Sequence, residues 1–380
     1  MRIFEPNNST NRLMKYNWQL KEWPNFKYSL VDFSQKIQQY AEKMGHIKGV
    51  LSVVSKETQV EAMIDRMVLE AIKTSEIEGE FLSRKDVMSS IKNNLGLNLT
   101  REIVRDKRAR GIGEMMVQIR EIFAEDLTAE TLHQWHRALM TGNQRVQSGV
   151  WRSHESPMQV VSGTIRREEV HYEAPPSNKV PQEMEQFVDW FNSTRPGGIA
   201  EISAAPIRSA IAHLYFESIH PYEDGNGRIG RAISEKILYQ HANYPLLISL
   251  SEAIEKNRNA YYQALMQAQQ TNDLTDWIGY FMDVVLYAQD RTIAIIDFTL
   301  KKTNFFNQFN PQLNQRQTKV LRRMLRDGAS DFKDGINAKK YMAIAKTSKA
   351  TATRDLQQLV QLAAVQAKGS GRSTRYFVNL

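Results

Sequence analysis

Twelve consecutive residues, His220-Pro221-Tyr222-Glu223-Asp224-Gly225-Asn226-Gly227-Arg228-Ile229-Gly230-Arg231, bring together a base, a carboxylate, a glycine-rich turn and two guanidinium groups. His220 is the member of this set that can take a proton near neutral pH. Asp224 can hold Mg²⁺ through one oxygen while phosphates and water fill the ion's other positions. Gly225 and Gly227, with Asn226 between them, let the backbone turn tightly and aim successive N–H groups at an anion. A helix starting there would point its positive end at the same spot. Arg228 and Arg231 lie three apart, so on a helix they share a face and can fork onto phosphate oxygens. The set reads as chemistry on a nucleotide polyphosphate.

The elements that must position these residues are helices. Gly225, Gly227 and Gly230 also spell the dinucleotide fingerprint G-x-G-x-x-G, but that site needs a preceding strand in a βαβ unit. Upstream, Ile207, Ala210, Ile211, Leu214, Tyr215 and Ser218 recur at three- and four-residue spacing, which is helical. The fingerprint is therefore rejected.

The string resembles the signature of the Fic family, H-P-F-x-[DE]-G-N-G-R-x-x-R, with Tyr222 where Phe is usual. An aromatic body is kept, so its packing role should survive. The resemblance implies a protein adenylyltransferase that moves AMP from ATP to a Ser, Thr or Tyr hydroxyl of a target protein. His220 would deprotonate that hydroxyl, Asp224 would bind Mg²⁺, and Gly225, Asn226 and Gly227 would form the anion hole. Arg228 and Arg231 would hold the phosphates. Thr74-Ser75-Glu76-Ile77-Glu78-Gly79 matches the [ST]-x-x-x-E-[GN] element of many Fic proteins, which implies that Glu78 pairs with Arg231 and restrains it. Ile254, Asn257, Arg258, Tyr261 and Tyr262 match a family pattern closing over adenine and ribose, with Asn257 and Tyr261 as the expected contacts; core tyrosines on an amphipathic helix are the plainer reading.

Around the motif, helical periodicity covers Ser34 to about Asn94, residues 111–140, Val180 to Ser193, a run through the motif to His241, Ser251 to Gln270, and Leu274 to about Lys301. Thr128 is placed to cap the helix bearing Leu132, Trp135, His136 and Leu139. Met158 to Ile165 and Val170 to Glu173 read as a β-hairpin. Its position resembles the Fic flap, whose edge takes up an extended target segment by strand addition; Val160, Val161, Ser162 and Gly163 are the expected docking residues. An aromatic N-terminal segment, Tyr16 to Phe26, looks like an arm packing on the helical region after it.

Charge divides the chain. Residues 316–380 hold fourteen Lys/Arg and four Asp, a balance of +10, which leaves −2 for the rest of a chain whose net charge is +8. That marks a separate module with its own partner. Its pattern is three helices and a hairpin, a winged helix-turn-helix, with Val320, Leu321, Met324, Leu325, Leu356, Leu359 and Val360 expected inward. Lys349, Thr351, Thr353 and Arg354 would face base edges and phosphates of duplex DNA, with Arg372 and Arg375 on the backbone. Protein binding or a homodimer contact is the alternative use of such a module.

The fold expected is thus mainly α: a helical region with an inhibitory helix over 1–105, a Fic catalytic domain with its hairpin flap over 106–300, a linker rich in Asn and Gln over 301–315, and the winged helix over 316–380. No apolar run approaches a membrane span and the N-terminus lacks a signal-peptide pattern, so the cytoplasm is the default compartment. With no cysteine, disulfides, thiol catalysis and Cys-based zinc sites are excluded. Two other functions fit these residues: a DNA-binding regulator whose Fic domain senses a nucleotide, or a Fic enzyme of another specificity, such as UMP transfer, phosphate transfer or AMP removal. The presence of both arginines speaks for nucleotidyl over phosphate transfer.

Overall fold

The computed structural model describes residues 15–164, 167–245, 248–325 and 335–380, apart from the side chains of 162–169 and 372. The chain divides into two compact units, residues 1–45 with 55–290 and residues 46–54 with 291–380. In chain order the elements are α1 (Ser34–Val53), α2 (Lys56–Ile77), α3 (Arg84–Asn94), α4 (Lys107–Glu121), α5 (Ala129–Leu139), β1 (Gln159–Thr164), β2 (Arg167–Glu173), α6 (Val180–Ser193), α7 (Ala205–Ile219), α8 (Asn226–Ala242), α9 (Leu250–Lys256), α10 (Arg258–Ala268) and α11 (Thr275–Phe309). They continue with α12 (Gln315–Met324), α13 (Ala338–Ala345), α14 (Lys349–Gln361), β3 (Val365–Lys368) and β4 (Arg375–Val378). The mainly α class expected from the sequence holds.

The first unit is built around α7, which is buried along its whole length. A helix surrounded on every side sits at the centre of its domain. α8 packs against it closely enough that a Cβ added at Gly230 would collide with the Glu217 carboxylate. Sequence-coded caps fix the ends of the surrounding helices: Ser55, Ser83 and Thr128 accept backbone N–H groups at the starts of α2, α3 and α5. β1 and β2 pair antiparallel, with an irregularity between Val160 and Val161. The aromatic arm packs as expected: Trp23 and Phe26 meet the Tyr215 ring edge-on, and Trp18 Nε1 donates to the Glu173 carbonyl at 2.8 Å.

Two expected boundaries move. The run from Ser251 to Gln270 is two helices, because Asn257 turns its side chain onto the Ala260 N–H and starts α10 itself. Of the expected linker, residues 302–309 are the end of α11. Its Asn and Gln content suggested a loop, yet Phe305 and Phe309 lie one turn apart and both are buried in the second unit's core.

That core joins Phe305 and Phe309 to Val320, Leu321, Met324, Tyr341, Leu356, Leu359 and Val365. Val360, expected inward, is 38% exposed. It follows the buried Leu359 on the outer face of α14. Asp355 ties the three helices together: it accepts from Asn314 Nδ2 at 3.0 Å, Arg316 Nε at 2.8 Å and the Tyr341 hydroxyl at 3.0 Å. β3 and β4 form a hairpin, and Ile336 bridges to Tyr376 on its outer side. The arrangement is that of a winged helix-turn-helix.

Candidate active site

His220 ends α7 in the left-handed conformation, at φ 50° and ψ 61°. That geometry strains a residue with a side chain, so something must hold it. Arg152 does. Its buried guanidinium donates from Nε to the His220 carbonyl at 2.8 Å and from Nη2 to the Ile219 carbonyl at 3.2 Å and the Pro175 carbonyl at 2.6 Å. Its main-chain N–H bonds to Pro221 O at 2.9 Å. The His220 side chain is 15% exposed. Burial first, and then the Arg152 charge, push its pKa down to about 4, so the imidazole is neutral near pH 7. Glu217, one turn earlier, places Oε2 3.8 Å from His220 Nδ1. Burial drives the Glu217 carboxyl up to about 8, against the pull of the Arg231 charge.

The loop from 221 to 225 is braced from inside. Asn226 Nδ2 donates to the Tyr222 carbonyl at 2.8 Å, and its Oδ1 accepts the Tyr222 N–H at 2.9 Å. Tyr222 is fully buried and stacks on His136, ring centroids 3.9 Å apart. Its hydroxyl, absent from a Phe, lies 3.2 Å from His133 Nδ1. His136 Nδ1 accepts the Gly149 N–H at 2.8 Å, which leaves its Nε2 to donate to the Asp224 carbonyl at 3.2 Å. Gly225 opens α8 at φ 86°, where a Cβ would also strike Met140 and Leu139. Asp224 accepts the Gly225 N–H at 2.6 Å and keeps a side chain 47% exposed.

Both motif arginines are deeply buried, and both face carboxylates. Arg231 donates from Nε to Thr74 Oγ1 at 2.7 Å, and from Nη2 to the Thr74 carbonyl at 3.0 Å and Glu78 Oε1 at 2.7 Å. Burial opposes its charge, but Glu78 outweighs burial and raises its pKa above the ordinary arginine value. Arg228 places Nη1 3.0 Å from Glu80 Oε2 and Nη2 3.4 Å from Asp224 Oδ1. A Cβ added at Gly227 would collide with Glu78 Oε1, so that carboxylate lies directly against the first turn of α8.

The other expected contacts are more dispersed. Tyr261 is buried, with its hydroxyl 2.8 Å from His213 Nε2, as a core tyrosine would be. Asn257 is exposed and caps α10. Val160 and Val161 lie on β1 opposite Tyr172 and Val170, and Val161 is exposed. Ser162 and Gly163 continue β1, where the Ser162 side chain lies outside the described residues. Tyr172 anchors the hairpin to α7 by donating to the Ser218 carbonyl at 2.6 Å. In the second unit Lys349, Thr353 and Arg354 are exposed, while Thr351 and Arg375 are half-buried. The Arg372 side chain lies outside the described residues. Sequence reasoning missed Arg152, Glu217 and Glu80. Glu217 and Glu80 sit within a turn of residues it did single out.

Comparison with known proteins meets this geometry in two places. Residues 126–238 match the Fic/DOC family, and residues 16–97 match a domain of unknown function, DUF4172. A protein adenylyltransferase Fic of Drosophila willistoni is 27% identical over 170 residues, 44% of this chain and 30% of that protein. A probable protein adenylyltransferase of Aquifex aeolicus is 25% identical over 146 residues, 38% of each. The chain thus spans about a third of the length of the curated relatives it matches. Among solved structures, a Fic family protein from Desulfovibrio desulfuricans superposes with a TM-score of 0.55 at 18% identity, covering 94% of this chain and 98% of that one. A Fic domain containing signaling protein from Bacteroides thetaiotaomicron gives 0.53 at 19% identity, over 70% and 97%. These likenesses show the fold. No helix among the described residues is long and apolar enough to cross a membrane.

Proposed function

We propose, from the premise that this chain carries a Fic/DOC-family domain behind a DUF4172 domain, that it is a protein adenylyltransferase restrained by Glu78. The observation that carries this reading is the convergence of a neutral His220, the braced turn at 224–227 and both arginines at the start of α8. His220 takes the proton of a target Ser, Thr or Tyr hydroxyl as its oxygen attacks the α-phosphorus of ATP. The new O–P bond forms as the bond to the β-phosphate oxygen breaks, and pyrophosphate leaves. Positioning and charge neutralisation do most of this work. The backbone N–H groups at Gly225–Gly227 and the α8 dipole receive phosphate oxygens. Arg228 and Arg231 hold the rest of the triphosphate.

Asp224 suits Mg²⁺: its carboxylate is half-exposed at the edge of that turn, and an ion held mainly by phosphates needs a single carboxylate. Bound there, the ion would offset charge on the departing pyrophosphate. The free edge of β1 would take the target segment by strand addition.

The restraint follows from the same contacts. With Glu78 on Arg231 and against Gly227, an incoming phosphate meets a carboxylate instead of a cation. The test uses ATP labelled at the α or the γ position, with wild type, Glu78→Gly and His220→Ala. Transfer of α label, increased in Glu78→Gly and abolished in His220→Ala, is expected. Transfer of γ label, or no gain in Glu78→Gly, contradicts it. For the second unit the exposed Lys349, Thr353 and Arg354 on one helix favour duplex DNA as partner.

A further inference from the structure

The turn after the inhibitory glutamate carries a second carboxylate, and it meets the second arginine. α2 ends in a Schellman motif: Gly79 N–H bonds to Glu76 O at 3.0 Å and Glu80 N–H to Ser75 O at 2.9 Å. Gly79, at φ 79°, reverses the chain, so Glu78 and Glu80 both reach α8. On α8, Arg228 and Arg231 stand one turn apart. The pairing is crossed, with Glu78 on Arg231 at 2.7 Å and Glu80 on Arg228 at 3.0 Å.

We infer that Glu80 is a second latch on the phosphate site, holding Arg228 as Glu78 holds Arg231. The inference rests on the nucleotide-binding reading of the motif. Arg228 lies between Glu80 and Asp224, so one guanidinium faces two carboxylates and offers phosphate no net positive charge. Its side chain is 4% exposed while that of Glu80 is 27% exposed. The arginine therefore stays in place and the carboxylate can leave towards water. Both latches hang from one turn, so they release together when the end of α2 withdraws. That end is also held from α10: Arg258 Nη1 lies 3.3 Å and the Tyr262 hydroxyl 3.4 Å from the Ile77 carbonyl.

The test is calorimetric binding of a non-hydrolysable ATP analogue with Mg²⁺ to the full chain, as wild type, Glu78→Gly, Glu80→Gln and the double variant. Glu80→Gln keeps the shape of the side chain and removes its charge. It is expected to tighten binding roughly threefold to tenfold, the scale of a partly exposed ion pair. The double variant should bind more tightly than Glu78→Gly alone, and the gain should vanish when Arg228→Gln is added. Unchanged or weaker binding in Glu80→Gln overturns the latch and makes Glu80 a support for Arg228. Nucleotide bound by Glu78→Gly with no further gain from Glu80→Gln sinks the latch alone. No nucleotide bound by any variant sinks the latch together with the reading it rests on. Which phosphate is transferred does not affect this measurement.

Discussion

At the scale of single residues, the candidate base depends on a neighbour that contributes no chemistry of its own. Arg152 commits its guanidinium to three carbonyls, two of them at the end of α7, and so fixes the left-handed turn on which His220 stands. Its charge also adds to burial in lowering the imidazole pKa. The sign is clear: a depressed histidine pKa keeps the base form present above about 4 and removes it as pH falls through that value. The acid limb of kcat/KM in the Glu78→Gly background should therefore lie well below the ordinary histidine range. Arg152→Gln removes the charge and the clamp, and should lower kcat by about tenfold or more while moving the acid limb upward. Arg152→Lys keeps the charge, and should lower kcat with little movement of the limb. A pH–rate series separates the two, and an unmoved limb in Arg152→Gln would refute the electrostatic part.

The motif was legible because its chemistry is contiguous: twelve residues carry base, carboxylate, turn and arginines together. Arg152 was not, since its partners lie 67 and 68 positions away in sequence and only the fold brings them near.

Elements decide how the restraint is delivered. The end of α2 was readable as a helix stop from Gly79, and Thr74 and Glu78 one turn apart placed two polar groups on one face. What the sequence could not show is that this face meets Arg231 from both the Thr74 hydroxyl and the Glu78 carboxylate. Gly79→Ala tests the turn itself. Its Cβ would meet nothing within 4 Å, so the cost is purely the left-handed backbone, about 1 kcal/mol. The expected result is a partial gain of AMP transfer, in the direction of Glu78→Gly but smaller. Transfer unchanged from wild type would mean that the turn tolerates the strain without shifting either carboxylate.

Periodicity failed at two other elements for related reasons. A capping Asn split the 251–270 helix, and two phenylalanines drew a polar segment into α11. In the second unit, Asp355 is the point where α12, α13 and α14 meet. Burial works against its charge, but Arg316 and its other donors outweigh burial and lower its pKa. Its contribution is thus present above the ordinary carboxylate range and lost as pH falls below it. Asp355→Ala should destabilise this unit by about 2 kcal/mol, discounted because Arg316 is partly exposed. Amide exchange over 315–365 would report it; protection equal to wild type would count against that role.

Over the whole molecule, the uneven charge separates the two functions proposed. The last sixty-five residues hold a balance of +10 and the remainder −2, so phosphate neutralisation on the scale of a duplex is available only at the C-terminal end. There α14 buries Ala352, Asp355, Leu356 and Leu359 and leaves Lys349, Thr353 and Arg354 outward. Among the described residues Lys349 and Arg354 make no ion pair, whereas Arg316 is committed to Asp355. A face of unpaired cations on the third helix of a winged unit should bind duplex DNA with affinity that falls steeply as salt rises. For about four phosphates neutralised, log K should fall against log salt with a slope near −4. Lys349→Glu with Arg354→Glu should flatten that slope by about two and weaken binding at every salt concentration. AMP transfer by the Glu78→Gly protein should be unchanged by the same pair. A full-length chain that fails to bind duplex at low salt, or binds with a flat salt dependence, would remove nucleic acid as the partner and leave the second unit to contacts between proteins.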